Sequence, residues 1–169
     1  MTQEKLTTIN GHGDVRRLQT QVPIAAGIDD VWSAITEDAK IAQWWTTAKV
    51  DRFEGGRIVL DDGAELNGTV RTFAAPYIFE FTWRDNPADA VSSQMLEFTT
   101  KSLVRFDLVP LEEKRTLLTV VQYAPAIFAH GAAAGWHHLA GERLVSYLER
   151  GCAVDDAGRF EALKSLYWE

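Results

Sequence analysis

Residues 135–150 read GWHHLAGERLVSYLER, and this stretch decides how the rest of the chain must fold. At the helical period of about 3.6 residues, its apolar positions fall on one side and its polar positions mostly on the other. A helix with such a wide apolar side needs a large apolar surface to lie against. The apolar side is formed by Trp136, Leu139, Ala140, Leu144, Tyr147 and Leu148.

The matching surface comes from residues 47–124, where runs of alternating apolar and polar residues are separated by turn residues. The same alternation brings Val104, Phe106 and Leu108 to one face, and Leu118, Val120 and Gln122 to one face of the following run. Such runs predict an antiparallel sheet with one face covered by the helix. The clearest run, residues 77–84, places a wall of four aromatic rings on one face: Tyr77, Phe79, Phe81 and Trp83.

The remaining stretches complete an α+β domain. Residues 1–13 are polar and predict a flexible N-terminus, and residues 14–151 form the domain itself. A first strand near residues 14–22 precedes two short helices, so the prediction is a curved antiparallel sheet of six to seven strands wrapped around a long C-terminal helix. Residues 152–169 form a C-terminal extension with one short packed helix.

Composition excludes several classes of function. The net charge of −7 disfavours binding to nucleic acid or to anionic lipid. Neither a secretory signal nor a membrane span is visible, and the single Cys152 fits a reducing compartment, so we expect a cytoplasmic protein. His137 and His138 would splay apart on a helix, and no metal-binding motif is present, so we expect no metal and no cofactor.

Several motifs carry a resemblance to a known family, and they run from about Asp14 to Gly151. They are VWSAIT at residues 31–36, QWW at 43–45, FEGG at 53–56, FTW at 81–83, TLLTV at 116–120 and GW at 135–136. The glycine at 68 and the proline at 76 add to the pattern. The chain resembles the homologues of the activator of the 90-kDa heat-shock protein ATPase, within the START-like (SRPBCC) superfamily. That resemblance implies the helix-grip fold, also called START/Bet v 1-like.

The resemblance also implies an apolar cavity between the helix and the sheet, but no single activity. Relatives in the superfamily include lipid carriers, hormone receptors, polyketide cyclases and chaperone cofactors. Two departures concern ligand identity: Gln122 stands where these proteins often carry histidine, and the loop at residues 85–100 is longer than usual.

Ten residues are candidates for contacting a ligand in that cavity. Arg143 falls within the apolar arc of the helix, where it would either anchor an acidic or carbonyl head group of a ligand, or snorkel to solvent or pair with a glutamate of the sheet. Trp44 and Trp45 would either plug the end of the sheet or contact ligand at the cavity mouth. The full set is Trp44, Trp45, Phe79, Phe81, Trp83, Phe106, Gln122, Trp136, Arg143 and Tyr147.

Three functions remain open. The leading hypothesis is non-catalytic binding of a small hydrophobic molecule, lipid-like or aromatic, by a monomer or homodimer. The second is a protein-interaction module that resembles the chaperone activator and contributes to stress responses; it predicts an exposed apolar patch and a filled core. The third is an enzyme of the polyketide cyclase or aromatase kind, which would need a polar group with a perturbed pKa facing the cavity.

Overall fold

The computed structural model describes residues 4–61, 65–82 and 103–168, and it shows an open antiparallel sheet with a long helix laid across it. The strand order is β1-β2-β8-β7-β6-β5-β4-β3, and every neighbouring pair is antiparallel. The strands are β1 (Thr7–Asn10), β2 (Val15–Ile24), β3 (Thr47–Val50), β4 (Arg57–Asp61), β5 (Glu65–Ala74), β6 (Ile78–Thr82), β7 (Leu103–Glu112) and β8 (Arg115–Pro125).

The sheet has eight strands, so the prediction of six to seven was too low. The additional strand, β1, lies in the segment for which we expected a flexible terminus. It pairs with β2 through the register Thr7–Thr20, where the two hydroxyl oxygens lie 2.6 Å apart. Both threonines are buried, so this inward pair consists of polar side chains that satisfy each other, while the neighbouring pair, Ile9 and Leu18, is apolar.

Four helices accompany the sheet in the part of the chain that the structure describes. The short α1 (Ile28–Thr36) and α2 (Asp38–Trp44) connect β2 to β3, as predicted. The long helix α3 follows a turn of 3₁₀ helix at Ala126–Phe128 and consists of an α-helical segment (Ala129–His138), a π-helical segment (Leu139–Leu144) and a final α-helical segment (Val145–Arg150). The last helix, α4, is Arg159–Trp168.

The long helix therefore begins at Ala129, six residues before the predicted start at Gly135. Its first turns are rich in alanine and glycine, which are poor indicators of a helix start, yet Ala133 and Ala134 are fully buried in the structure. The predicted end is confirmed, because Gly151 follows the helix with a φ of 87°, a left-handed conformation that glycine adopts without strain.

The main core lies between the sheet and the side of α3 that carries Trp136, Ala140 and Leu144. The predicted inward alternation is confirmed on β7 and β8, where Val104, Phe106, Leu108, Leu118 and Val120 are all buried. A second, smaller cluster holds α4 against the start of α3. Its members are Leu18, Ala124, Ala129, Ala133, Ala134, Leu163 and Tyr167.

Candidate functional site

A partly open groove with a volume of about 600 Å³ runs along α3. One wall is α4, and the inner end reaches the sheet at Gln122 on β8. Cavities of this size hold small organic ligands. The lining residues are Gln122, Ile127, Phe128, His130, Gly131, Ala132, Gly135, Trp136, His138, Leu139, Phe160, Lys164 and Trp168.

The groove has room because the side of α3 that faces it carries small residues. A Cβ atom added at Gly131 would meet nothing within 4 Å, and one added at Gly135 would meet only the Phe160 ring, at 3.9 Å. With Ala132 they form a floor that contributes almost no side-chain volume. The space between α3 and α4 is thus a consequence of residue size at these positions.

The rim of the groove is apolar and exposed. Ile127, Phe128, Phe160 and Trp168 belong to the large hydrophobic side chains that the structure leaves in contact with solvent, and Trp168 is the most exposed of them at 68%. Apolar side chains gathered around one depression, with solvent on them, are typical of a ligand or interaction site.

Helix α4 is fixed to the rest of the molecule by the buried Tyr167. Its hydroxyl accepts a hydrogen bond from the Thr7 amide on β1 (2.9 Å) and lies 2.7 Å from Nδ1 of His137 on α3. The hydroxyl can donate to Nδ1 while accepting from Thr7, and this pairing requires a neutral His137. Burial lowers the pKa of His137, which agrees with that state.

An ion pair fixes the other end of α4. Both carboxylate oxygens of Glu142, in the π-helical segment of α3, accept hydrogen bonds from Arg159, at 2.6 to 3.0 Å. Burial alone would raise the pKa of Glu142, but hydrogen bonds from Arg159 and His138 outweigh it and the pKa is lowered. In the same pair the pKa of Arg159 is raised by its hydrogen bond to Glu142.

Four polar side chains line the groove. Gln122 Oε1 accepts a hydrogen bond of 2.7 Å from Trp136 Nε1 at the inner end. His130 Nδ1 contacts the main-chain carbonyl of Tyr167, and its ring stacks on Trp168 at a centroid distance of 4.6 Å. His138 Nδ1 is 3.0 Å from Glu142, and Lys164 Nζ is 3.3 Å from the carboxylate of Glu161.

Of the ten residues proposed from the sequence, the groove brings together Gln122 and Trp136. Phe79, Phe81 and Phe106 are each 1% exposed and pack on one another with centroid distances of 5.2 to 6.3 Å. Phe79, Phe81 and Phe106 therefore fill the core beside Trp136, whose ring meets Phe106 edge to face at 5.7 Å. Tyr77, the first ring of the predicted aromatic wall, precedes β6 and is 53% exposed, so it does not share this buried face.

The other proposed residues lie elsewhere. Trp44 is buried and its Nε1 donates to the carbonyl of Ala34, and Trp45 contacts the Trp136 ring at 5.3 Å. Tyr147 is partly buried against the main core. Trp83 and the loop at residues 85–100 lie outside the described residues.

Arg143 is half-buried and does not line the groove. It donates from Nε to the carbonyl of Trp44 at 2.8 Å and from Nη1 to the carbonyl of Val154. These partners are main-chain carbonyls rather than a glutamate of the sheet, and the contacts tie α2 and the segment after α3 to the long helix. A role for Arg143 toward a ligand stays a prediction.

Sequence reasoning missed the residues that α4 and the start of α3 contribute. The signal was present as spacing, because Phe160, Lys164 and Trp168 recur every fourth residue and must share one face of a helix. What the sequence did not indicate was that this face meets the glycines at 131 and 135, which is a matter of tertiary packing.

Two absences hold for the part of the chain that the structure describes. No group of three or more His, Cys, Asp or Glu side chains there is arranged to hold a metal ion. Over the same residues, no helix has both the length and the apolar character needed to cross a bilayer.

Comparisons with known proteins agree with the architecture. A conserved Enterococcus faecalis protein of unknown function, EF2215, superposes with a TM-score of 0.77 at 19% identity, over 96% of this chain and 88% of that one. CalU16 from Micromonospora echinospora gives 0.72 at 20% identity, over 97% and 92%. The Aha1 protein of Colwellia psychrerythraea, solved as a dimer, gives 0.65 at 17% identity, over 80% and 97%.

At these low sequence identities, the structural similarity establishes a shared helix-grip fold and nothing further. No curated protein matches the sequence significantly. A family model does match, over residues 25–149, and it is described as Activator of Hsp90 ATPase homolog 1-like protein. The matched segment extends from the end of β2 to the end of α3, so β1 and α4 lie outside it. The chain belongs to the family of Activator of Hsp90 ATPase homolog 1-like proteins.

Proposed function

We propose that the protein binds a small apolar molecule, lipid-like or aromatic, in the groove between α3 and α4, without catalysing a reaction on it. The observation that carries this proposal is the groove of about 600 Å³ with an apolar rim and a floor of small residues. The expected site lay between the long helix and the aromatic wall of the sheet. Among the described residues, the groove touches that region at Gln122, Trp136 and Leu139, and it extends outward along α3.

Burial of the apolar rim supplies the driving force. Each Å² of apolar surface removed from water contributes about 25 cal/mol. The rings of Phe128, Phe160 and Trp168 remain exposed in the folded protein, so a ligand can still bury them. The groove is largely preformed, because α4 is held at one end by Tyr167 and at the other by Arg159. A preformed site loses little conformational entropy on binding.

The test uses phenylnaphthylamine, an uncharged probe whose fluorescence rises in apolar surroundings. We expect the wild-type protein to bind it saturably and Gly131→Phe to abolish that binding, since a ring at this position would occupy the groove without meeting another atom at its Cβ. Gly131→Ala adds one methyl group and is the matched control, for which we expect retained binding. Equal probe binding by wild type and Gly131→Phe would place any ligand elsewhere and refute the proposal.

A second candidate, an interaction module that acts on a chaperone, is favoured by the exposed rim itself. Solved relatives include the Aha1 protein of Colwellia psychrerythraea and an Hsp90 activator from Plasmodium falciparum, which superposes with a TM-score of 0.51 at 16% identity. Under this alternative, adding the protein to a purified Hsp90 would stimulate its ATPase, and Phe160→Ser with Trp168→Ser would remove the stimulation. An unchanged ATPase rate would count against it.

The enzyme alternative gains less support from the groove. Among the described residues, the groups with a displaced pKa, such as His137 and Glu142, are engaged with Tyr167 and Arg159 and are not part of the lining. Stress-response and cytoplasmic roles, and the choice between monomer and homodimer, remain proposals. Size-exclusion chromatography with light scattering would decide the oligomeric state.

A further inference from the structure

We propose that the groove selects ligands that carry an acidic group, a carboxylate or an acidic hydroxyl, on an apolar body. This inference rests on the proposed binding function and adds the chemical class of the ligand. It follows from the charge and the hydrogen-bonding state of the side chains that line the groove.

The ionisable side chains described in the lining of the groove all belong to basic residue types. Among the described residues, the titratable side chains that line the groove are His130, His138 and Lys164, and no aspartate or glutamate lines it. The protein as a whole carries a net charge of −7, so a basic lining is opposite to the average of the surface. The local electrostatic potential at the groove therefore favours an approaching anion.

Lys164 is available to an incoming anion. Its contact with Glu161 is 3.3 Å long, joins neighbouring turns of α4 and is solvent-exposed, with 72% of the glutamate side chain accessible. Exposed pairs of this kind contribute little and exchange partners readily. The Lys164 ammonium also lies 5.3 Å from the centre of the Phe160 ring, which holds it over the apolar wall.

The two histidines have a defined hydrogen-bonding state. The carbonyl of Tyr167 can only accept, so the Nδ1 atom of His130 carries the proton of that contact. The carboxylate of Glu142 likewise accepts from Nδ1 of His138. In the neutral ring, Nε2 is therefore an acceptor for an acid or phenol O–H, and in the protonated ring it donates to the anion.

The carboxylate beside His138 does not oppose this selection. Glu142 lies beside His138, but Arg159 contacts both of its oxygens and compensates its charge. The charge of Glu142 is therefore already paired, and the side chains that line the groove itself are basic. Lys164 belongs to α4, beyond the end of the family match at residue 149, so the lysine's contribution to acid selectivity comes from the C-terminal extension, while His130 and His138 lie within the matched segment.

The experiment compares two displacers that differ only in charge. Phenylnaphthylamine is bound to the protein near neutral pH and displaced by naphthalene carboxylate or by the isosteric, uncharged naphthalene carboxamide. We expect the carboxylate to displace the probe at a concentration about tenfold lower, as one charge-assisted hydrogen bond would produce. In Lys164→Met we expect that ratio to approach one.

Lys40→Met is the matched control, because Lys40 on α2 forms an equivalent surface pair at 3.1 Å with Glu37, which lies three residues earlier and just before the helix begins. It changes the net charge equally and should leave the ratio unchanged. Equal displacement by both compounds in the wild type would overturn the inference. So would a preference that survives in Lys164→Met or disappears in Lys40→Met. If the probe does not bind the wild type at all, it is the proposed binding function that fails.

Discussion

The buried hydroxyl group of Tyr167 should contribute strongly to the stability of the protein. The substitution Tyr167→Phe removes this one oxygen atom and measures its contribution to the free energy of unfolding. The substitution keeps the aromatic ring, so the packing in the second core cluster is retained and no large cavity forms. Two contacts are lost: the hydrogen bond from the Thr7 amide at 2.9 Å and the contact with His137 Nδ1 at 2.7 Å.

The magnitude follows from burial. Thr7, His137 and Tyr167 are each 2% exposed, so water cannot replace the missing oxygen. A buried amide left without an acceptor costs about 1–3 kcal/mol, and the lost hydrogen bond to the histidine adds about 1 kcal/mol. Together they predict that the free energy of unfolding falls by about 2–4 kcal/mol.

Urea denaturation followed by tryptophan fluorescence gives the global value, and hydrogen exchange at the Thr7 amide gives a local one. We expect faster exchange at Thr7 in the variant. Tyr123→Phe is the control, because Tyr123 is 39% exposed and its change should stay within about 0.5 kcal/mol. A loss for Tyr167→Phe no greater than that of the control would refute the account of how the two ends of the chain are joined.

Two further predictions concern single residues. Burial holds the pKa of His137 in the folded protein below its ordinary value of 6.5. Between the folded-state pKa and 6.5, the unfolded chain binds more protons than the folded protein. The free energy of unfolding should therefore fall as the pH drops below about 6.5. Urea titrations at several pH values should show a smaller slope in His137→Gln; an identical slope would contradict this. Gly68→Ala would place a Cβ 2.0 Å from the carbonyl oxygen of Thr82 and should destabilise by about 3 kcal/mol or more, whereas Gly131→Ala, with open space and a helical backbone, should stabilise by about 0.5–1 kcal/mol. Thermal unfolding of the two variants in opposite directions is the expected result.

The sequence predicted the elements in which buried residues recur at a regular spacing. Strands β7 and β8 alternate apolar and polar residues because one face meets the core, and the second half of α3 repeats at the helical period for the same reason. β1 was not predicted because its inward-facing Thr7 is polar and becomes tolerable only beside Thr20. The first half of α3 was missed because its stability comes from the close approach of Ala133 and Ala134 to neighbouring elements, which propensity does not indicate.

The candidate site was predicted less well than the fold. Aromatic content indicated a lined cavity, but Phe79, Phe81 and Phe106 fill one another's space, and whether rings leave a void depends on distances that no pattern encodes. The groove instead arises where two helices meet across small residues. Of the residues proposed from the sequence, Gln122 and Trp136 line this groove because they face inward at the end of the sheet where it begins, and contact with a ligand stays a prediction for them.

The order of the strands also bears on how the protein avoids self-association. An open sheet presents unpaired main-chain groups at both margins, and a long free margin can recruit a strand from another molecule and seed insoluble aggregates. In the described sheet the two margins are β1 and β3, which are only four residues long. The longer strands β2, β5, β7 and β8 all lie inside. Strands β2, β7 and β8 have a partner on both sides over part of their length, and β5 pairs with β4 over its first half and with β6 over its second, so none of them offers a long free margin for a strand from another molecule.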